Sequence, residues 1–258
     1  MKTSRNARTK KAASGAARLR SKAGAGPQKT ERPVGPPVPP PAGHRPDGRL
    51  LFGRSVTVEP LDPDRHGPEL YESFRGSARA ADLWTYMAYG PWTDYPPFLA
   101  WLNDCAASSD PAYYAIVPRE TGRAAGMAAY SAIRPAHGVI EIGHIWFAPS
   151  LQRTRAATEA LFVMMRHAFD EMGYRRVEWK CDALNAASRG AAERLGFTFE
   201  GIFRQHMVIK GRNRDTAWFA MLDSDWPEIR KAFAAWLDDA NFDGEGRQKQ
   251  SLRAVSRQ

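Results

Sequence analysis

Glu141-Ile-Gly-His-Ile-Trp-Phe-Ala-Pro-Ser-Leu-Gln-Arg-Thr-Arg-Ala-Ala-Thr-Glu-Ala160 decides how the rest of the chain is read. It opens inside Val139–Phe147, a β-branched and aromatic run that reads as a long strand. Pro149 marks a turn. The period then changes: Ala157, Ala160, Leu161, Met164, Met165, Ala168 and Met172 recur at helical spacing, and Gly173 stands where a helix ends. A strand that turns into a helix leaves free backbone N–H groups at the positive end of the helix dipole, an anion site suited to a pyrophosphate. Arg153 and Arg155 add charge at that mouth, and Ala156–Ala157 let the backbone come close. The alternative is an ordinary helix start with exposed arginines.

Upstream, Ser55–Pro60 reads as a strand, His66–Arg75 and Ser77–Tyr86 as helices, and Pro97–Cys105 as a further helix. Tyr113–Pro118 and Ala124–Ile133 are strands, separated from each other and from Val139–Phe147 by Glu120-Thr-Gly-Arg and Pro135-Ala-His-Gly turns. This succession of hairpins predicts an antiparallel meander. Downstream, Val177, Trp179 and Cys181 alternate with Arg176, Glu178 and Lys180, a strand. Asn185–Leu195 is a short helix closed by Gly196. Thr198–Ile209 and Asp215–Leu222 form a hairpin around Lys-Gly-Arg-Asn-Arg, and Trp226–Leu237 is a last helix. The class is α/β with a sheet of mixed direction.

The net charge of +9 is unevenly placed: residues 1–50 hold 12 Lys/Arg and 2 Asp/Glu, so the high pI describes the tail and not the body. Residues 1–48, basic and then Pro-rich, cannot bury enough apolar surface to fold and are expected to be disordered. They are either a solvated extension or a weak polyanion contact to RNA or the ribosome. The domain is placed at 49–240 and a second polar tail at 241–258. Cys105 and Cys181 make neither a metal spacing nor a disulfide framework, which fits a reducing, cytoplasmic setting. No apolar run approaches the roughly 20 residues of a membrane span, and no apolar segment follows the basic start as in a secretory signal.

A second segment carries chemistry: Asn185-Ala-Ala-Ser-Arg-Gly-Ala-Ala-Glu-Arg-Leu-Gly-Phe. Asn185 suits an N-cap. Ser188, Ala191, Ala192 and Leu195 share one helix face, so Ser188 points inward, where it serves either as a core hydroxyl or as a partner for a narrow ligand arm.

Together the two segments resemble the GNAT superfamily of N-acetyltransferases, and within it the branch of the ribosomal-protein alanine acetyltransferases. That branch carries a turn close to Gly-x-Gly-x-Ala-Thr-Glu-Ala, here Arg153-Thr-Arg-Ala-Ala-Thr-Glu-Ala160, and a later Asn-x-x-Ser…Leu-Gly-Phe, here Asn185, Ser188 and Leu195-Gly-Phe197. The glycine before the small residue is Arg155, whose guanidinium is a phosphate clamp in prospect. The resemblance implies a mixed, mostly antiparallel sheet of six or seven strands, helices on both faces, and a splay between two central parallel strands. Acetyl-CoA, with no metal, would lie in the splay. Gln152 and the backbone from Arg153 through Thr154, Arg155, Ala156 and Ala157 to Thr158 would hold its pyrophosphate, Asn185 the pantetheine arm, and Ser188 the sulfur end. The backbone N–H of Phe147 would face the oxyanion.

The implied reaction is attack of a primary amine on the thioester, the acceptor being a protein N-terminus or a small molecule, and a homodimer is possible for such a family member. The amine must lose a proton. Glu141 is the first candidate base, flanked in a regular strand by Val139, Gly143, Ile145 and Phe147; His144, on the opposite face, is the second. For each, the alternative is a hydrogen-bonded strand residue. Many relatives carry a tyrosine where this chain has Ala192, leaving Ser188 or water to assist the thiolate. Trp84, Tyr86, Tyr89 and Trp92, with Arg204, His206, Asn213 and Asp215 of the hairpin, are placed at the acceptor end, as an aromatic cage for a cation or as a packed lid. A weak or inactive acyl-CoA-binding protein, and a ribosome or nucleic-acid partner acting through the basic tail, are the competing functions.

Overall fold

The computed structural model describes residues 32–41, 43–77 and 81–252. By contacts the chain divides into a unit ending at Pro37 and one beginning at Val38. Residues 32–37 carry neither helix nor strand. The basic stretch before them lies outside the described residues.

The second unit is built on one eight-stranded sheet in the order β1-β2-β3-β4-β5-β6-β8-β7: β1 Leu51–Phe52, β2 Val56–Pro60, β3 Ala112–Pro118, β4 Gly126–Arg134, β5 Val139–Phe147, β6 Arg176–Asp182, β7 Thr198–Ile209 and β8 Arg212–Leu222. The strands β1 to β5 pair antiparallel throughout; short turns join β1–β2, β3–β4 and β4–β5, while residues 61–111 lie between β2 and β3. Among the described strands only β5 and β6 pair in parallel, with helix α3 (Arg155–Arg166) supplying the crossover that a parallel pair needs. The β7–β8 turn is tighter than expected. Lys210 and Gly211, at φ 49° and 72°, form a two-residue link, the backbone hand that suits sheet twist.

Helices cover both faces. Helices α1 (Pro63–Phe74) and α2 (Tyr95–Ala107) enclose one core with Phe74, Trp84, Phe98, Leu102, Met127 and Trp146. Helix α3 lies on the other face and is buried continuously from Ala157 to Met165. It is sandwiched between the sheet and α5 (Trp226–Trp236), with Phe162 stacked on Phe233 at 4.9 Å. Each such side chain, fully buried, is worth about 1.5–3 kcal/mol. Glu159 is buried and accepts the amides of Arg54 and Ser55 at 2.7 Å each, which ties α3 to the β1–β2 turn. Gly53 makes room, since a Cβ there would stand 2.7 Å from Glu159 Cδ.

Several expectations need correction. Of the expected helix Ser77–Tyr86, residues 78–80 lie outside the described residues, and the rest holds a 3-10 turn at Ala81–Trp84 in place of an α-helix. The long helix does not stay α to Met172 but becomes a π turn at His167–Glu171. The stretch 241–252 is no tail, since Phe242 packs on Trp236, Trp236 donates to Gln248, and Leu252 is 2% exposed. At the other end the fold reaches back past residue 49, with His44 N donating to Met172 O at 3.1 Å.

Candidate active site

Strands β5 and β6 are paired only at Val139–Arg176, Ile140–Val177 and Glu141–Glu178. Beyond that point they separate, which is the splay that the family resemblance implied. Its origin is local. The β4–β5 register passes from Ala129–Gly143 to Met127–Trp146, so His144 and Ile145 share the place opposite Ala128. His144 takes φ 52° there. Such a bulge bends its strand and increases the local twist, turning the end of β5 away from β6.

The bulge also moves side chains between faces. Ile140 and Ile142 belong to the core under α3, and Ile145 and Phe147 pack against that same core. Trp146 packs under α1 and α2. His144 therefore shares the face of Glu141 instead of opposing it, and Ile145 and Phe147 leave that face. Its Nδ1 lies 3.2 Å from the hydroxyl of Tyr113 and 3.4 Å from that of Tyr89, whose ring it stacks on. Burial lowers the His144 pKa below its ordinary value, and the positive charge of Arg214 adds to the effect. The imidazole is neutral at neutral pH and able to take a proton.

Glu141 is differently placed. Lys180, beside it on β6, donates to its carboxylate at 2.9 Å, stands 3.2 Å from Glu178 and lies 4.2 Å from the centre of the Trp218 ring. Glu178 is held in addition by Arg134 at 2.8 Å and Arg176 at 2.9 Å. Glu141 is thus one end of an ion-pair network at the last paired rung. Gly143 is part of the fit, as a Cβ there would stand 3.0 Å from Glu141 Oε1 and 3.2 Å from Ser131 Oγ.

The start of α3 has the features an anion needs. Thr154 caps it, its side chain accepting from Ala157 N at 3.1 Å. The amides of Arg153, Arg155 and Ala156 have no partner among the described residues. Arg153, in the place of the family's first glycine, adopts φ 63°, a left-handed conformation that glycine takes more cheaply. The side chain of Arg155 does not clamp a phosphate here. It bonds to Leu237 O and to Asp239 at 2.8 Å and lies 4.5 Å from the Phe242 ring centre, turned toward the C-terminal segment. Gln152 Nε2 donates to Phe147 O at 3.0 Å. Ala148 N bonds back to Ala125 O, so strand alternation directs Phe147 N to the other side, toward the gap. Thr158 Oγ1 is taken by Thr154 O and Arg194.

On α4 (Ala186–Arg194), Asn185 caps the helix through Ser188 N, and Ser188 Oγ accepts from Trp179 Nε1 at 3.0 Å. Ala192 is fully buried in the core. The phosphate cradle, the gap and a narrow small-residue helix beside it fit a CoA-type ligand, with the backbone supplying the contacts that the missing glycines left in question.

At the acceptor end, Tyr89 reaches His144, but Trp84 does not line the site: it is 1% exposed, packed among Phe74, Trp92 and Trp146. Trp92 packs against Trp101 and Tyr89 with tilted rings. Tyr86 donates to Leu184 O at 3.3 Å and Lys210 to Trp84 O at 2.8 Å, joining the loop to α4's approach and to the hairpin tip. His206 is exposed, 2.9 Å from Thr216 Oγ1 and beside Trp218. Arg204 is exposed in a bulge of β7. Asp215 accepts from Asn213 and from Gln205 N. Sequence reasoning passed over Tyr113, Lys180, Arg214 and Trp218. Strand alternation in β6 and β8 puts the last three on one face, but only a known neighbour order brings them beside β5.

The comparisons agree with this fold. The acetyltransferase (GNAT) domain family matches residues 56–198. A GCN5-related N-acetyltransferase from Brucella melitensis is similar in structure with TM-score 0.82 and 45% identity, over 85% of this chain and 98% of that one. A GNAT-family acetyltransferase candidate from Chromobacterium violaceum follows with TM-score 0.69 and 44% identity, over 76% and 99%. The ribosomal N-acetyltransferase candidate YdaF of Bacillus subtilis is 30% identical over 33% of this chain and 46% of its own length. The chain belongs to the GNAT family of acetyltransferases.

Proposed function

We propose that this acyltransferase moves an acetyl group from acetyl-CoA to a primary amine by direct attack, with His144 as the proton acceptor. The observation that carries this is the bulge of β5, which sets a neutral, hydrogen-bonded imidazole at the point where β5 and β6 part. Acetyl-CoA supplies the activated thioester. The orphan amides of Arg153, Arg155 and Ala156 hold its pyrophosphate, and Asn185 borders its pantetheine arm. Phe147 N–H faces the carbonyl oxygen as negative charge develops there. His144 takes the proton from the amine nitrogen as the N–C bond forms and the C–S bond breaks; the thiolate leaves and is protonated by water, with Ser188 close to the sulfur end. When Tyr113 accepts from Nδ1–H, Nε2 keeps the lone pair this requires. Glu141, bound to Lys180, holds the floor of the site and is the second choice of base.

The acceptor is a protein N-terminus or a small amine, and the naming of YdaF for the ribosome favours testing the former. CoA release over a panel of amines and peptides, with mass detection of the product, is the test. An acetylated amine that depends on acetyl-CoA supports the reading. Acetyl-CoA binding without turnover on any amine replaces it with the acyl-CoA-binding alternative.

A further inference from the structure

The face of the sheet that carries Glu141 and His144 is nearly balanced in charge; among the described residues of β5, β6 and β8 it leaves two cations without an ion pair, Arg212, which is exposed, and Arg214, which is half-buried. Lys180 answers Glu141 and Glu178, and Arg134 and Arg176 answer Glu178 and Glu200. Arg214 has no such answer. It stands on β8 two and four residues before Thr216 and Trp218, so all three share one face, and the pairing of Trp218 with Lys180 identifies that face as the one bearing Glu141. Among the described residues no carboxylate lies within ion-pair distance of it. Asp215, its sequence neighbour, is taken up by Gln205 N at 2.7 Å and Asn213 at 2.9 Å.

Among the described residues three donors on this face are buried and unpartnered: Trp146 Nε1, packed under α1 and α2, and, both on β8, Arg214 Nε and Trp218 Nε1. A buried donor without an acceptor is costly, more so when charged, so a partner supplied by a ligand is the natural resolution. Helix α3 and its anion cradle lie on the other side of the sheet, so acetyl-CoA's pyrophosphate is not that partner. We infer that Arg214 is a specificity residue for an acceptor that carries a carboxylate close to its reacting amine, as a free amino acid or an acidic N-terminal peptide does. This rests on the acetyl-transfer reading above. The same charge acts on His144, so an acceptor carboxylate at Arg214 relieves the repulsion that the protonated imidazole meets.

The test compares matched acceptors: alanine against alaninamide, and a peptide with Asp at its second position against the same peptide with Asn. Wild type is expected to prefer the acid in at least one pair, by about tenfold to a hundredfold in kcat/KM for a charge-assisted contact. R214Q is expected to bring that ratio near one, and R214K to keep part of it. The pair that shows the effect tells a free amino acid from a peptide. His144 faces Tyr113 of β3, Tyr89 of the preceding loop and Arg214 of β8, with Glu141 and Lys180 on the same face. Loss of Arg214 alone is therefore expected to move the acid limb of kcat/KM to higher pH, a change that a purely structural role would not produce. Equal ratios in wild type and R214Q, or a change confined to the KM for acetyl-CoA, overturn the inference while amide acceptors are still acetylated. No acetylation of any acceptor overturns the acetyl-transfer reading, and this inference with it.

Discussion

Replacing His144 by glutamine separates proton transfer from packing. Glutamine can keep one hydrogen bond to Tyr113 or Tyr89, so the fold should lose no more than about 1 kcal/mol. The chemistry should lose far more, because a positioned general base is worth about a hundredfold to ten-thousandfold, or roughly 3–5 kcal/mol of barrier. The pH dependence is fixed in sign. Burial and Arg214 place the His144 pKa below its ordinary 6.5, and the neutral ring is the active form. In wild type, kcat/KM should therefore rise with pH through an acid limb below 6.5 and stay high above it; in H144Q that limb should vanish. The limb set by the acceptor amine's own ionisation is common to both proteins and cancels in their ratio. The assay is steady-state CoA release against pH, with denaturant unfolding of both proteins as the packing control. A variant within about threefold of wild type, against the expected hundredfold or more, would refute the assignment and return the role to Glu141.

Three further outcomes follow from named contacts. Thr154→Ala removes the cap on Ala157 N and should cost about 1 kcal/mol in denaturant unfolding. Glu178→Gln tests the ion-pair network. Burial opposes the ionised form of Glu178, but Arg176, Lys180 and Arg134 outweigh it and hold its pKa below the ordinary value of 4.5. That stabilisation is present above 4.5 and is lost as pH falls through the folded-state value. Wild type should lose stability in acid more steeply than the variant, which at neutral pH should be less stable by about 2 kcal/mol. Arg155→Ala should loosen the segment after Leu237, read as faster amide exchange there, at a cost of about 1 kcal/mol. Its affinity for acetyl-CoA, measured by calorimetry, should be preserved; a tenfold loss, about 1.4 kcal/mol, would show that the guanidinium does hold phosphate.

The strand-turn-helix from Val139 to Arg166 was legible because a change of hydrophobic period and a cap-like threonine are written locally. The meander, the short helix at Asn185 and the β7–β8 hairpin were legible for the same reason. What escaped depends on neighbours. A bulge is one residue out of step with the next strand, and nothing in Gly143-His144-Ile145 alone shows that His144 will take φ 52° and change face. The 3-10 turn at Ala81–Trp84 was not legible either, because the burial of Trp84 is fixed by partners in α1, β5 and the Trp92 loop. Arg155 looked like a phosphate ligand because its partners Leu237, Asp239 and Phe242 lie more than eighty residues away. The polar composition of 241–252 hid Phe242 and Leu252, enough apolar surface to hold the segment down.

A crystal structure of the protein with acetyl-CoA tests the central claim most directly. The account predicts the pyrophosphate on the amides of Arg153, Arg155 and Ala156, the pantetheine passing between β5 and β6 beyond Glu141–Glu178, and the thioester carbonyl facing Phe147 N on the side His144 can reach. A cofactor bound outside that gap, or one whose thioester ends on the far side of the sheet from His144, would contradict it.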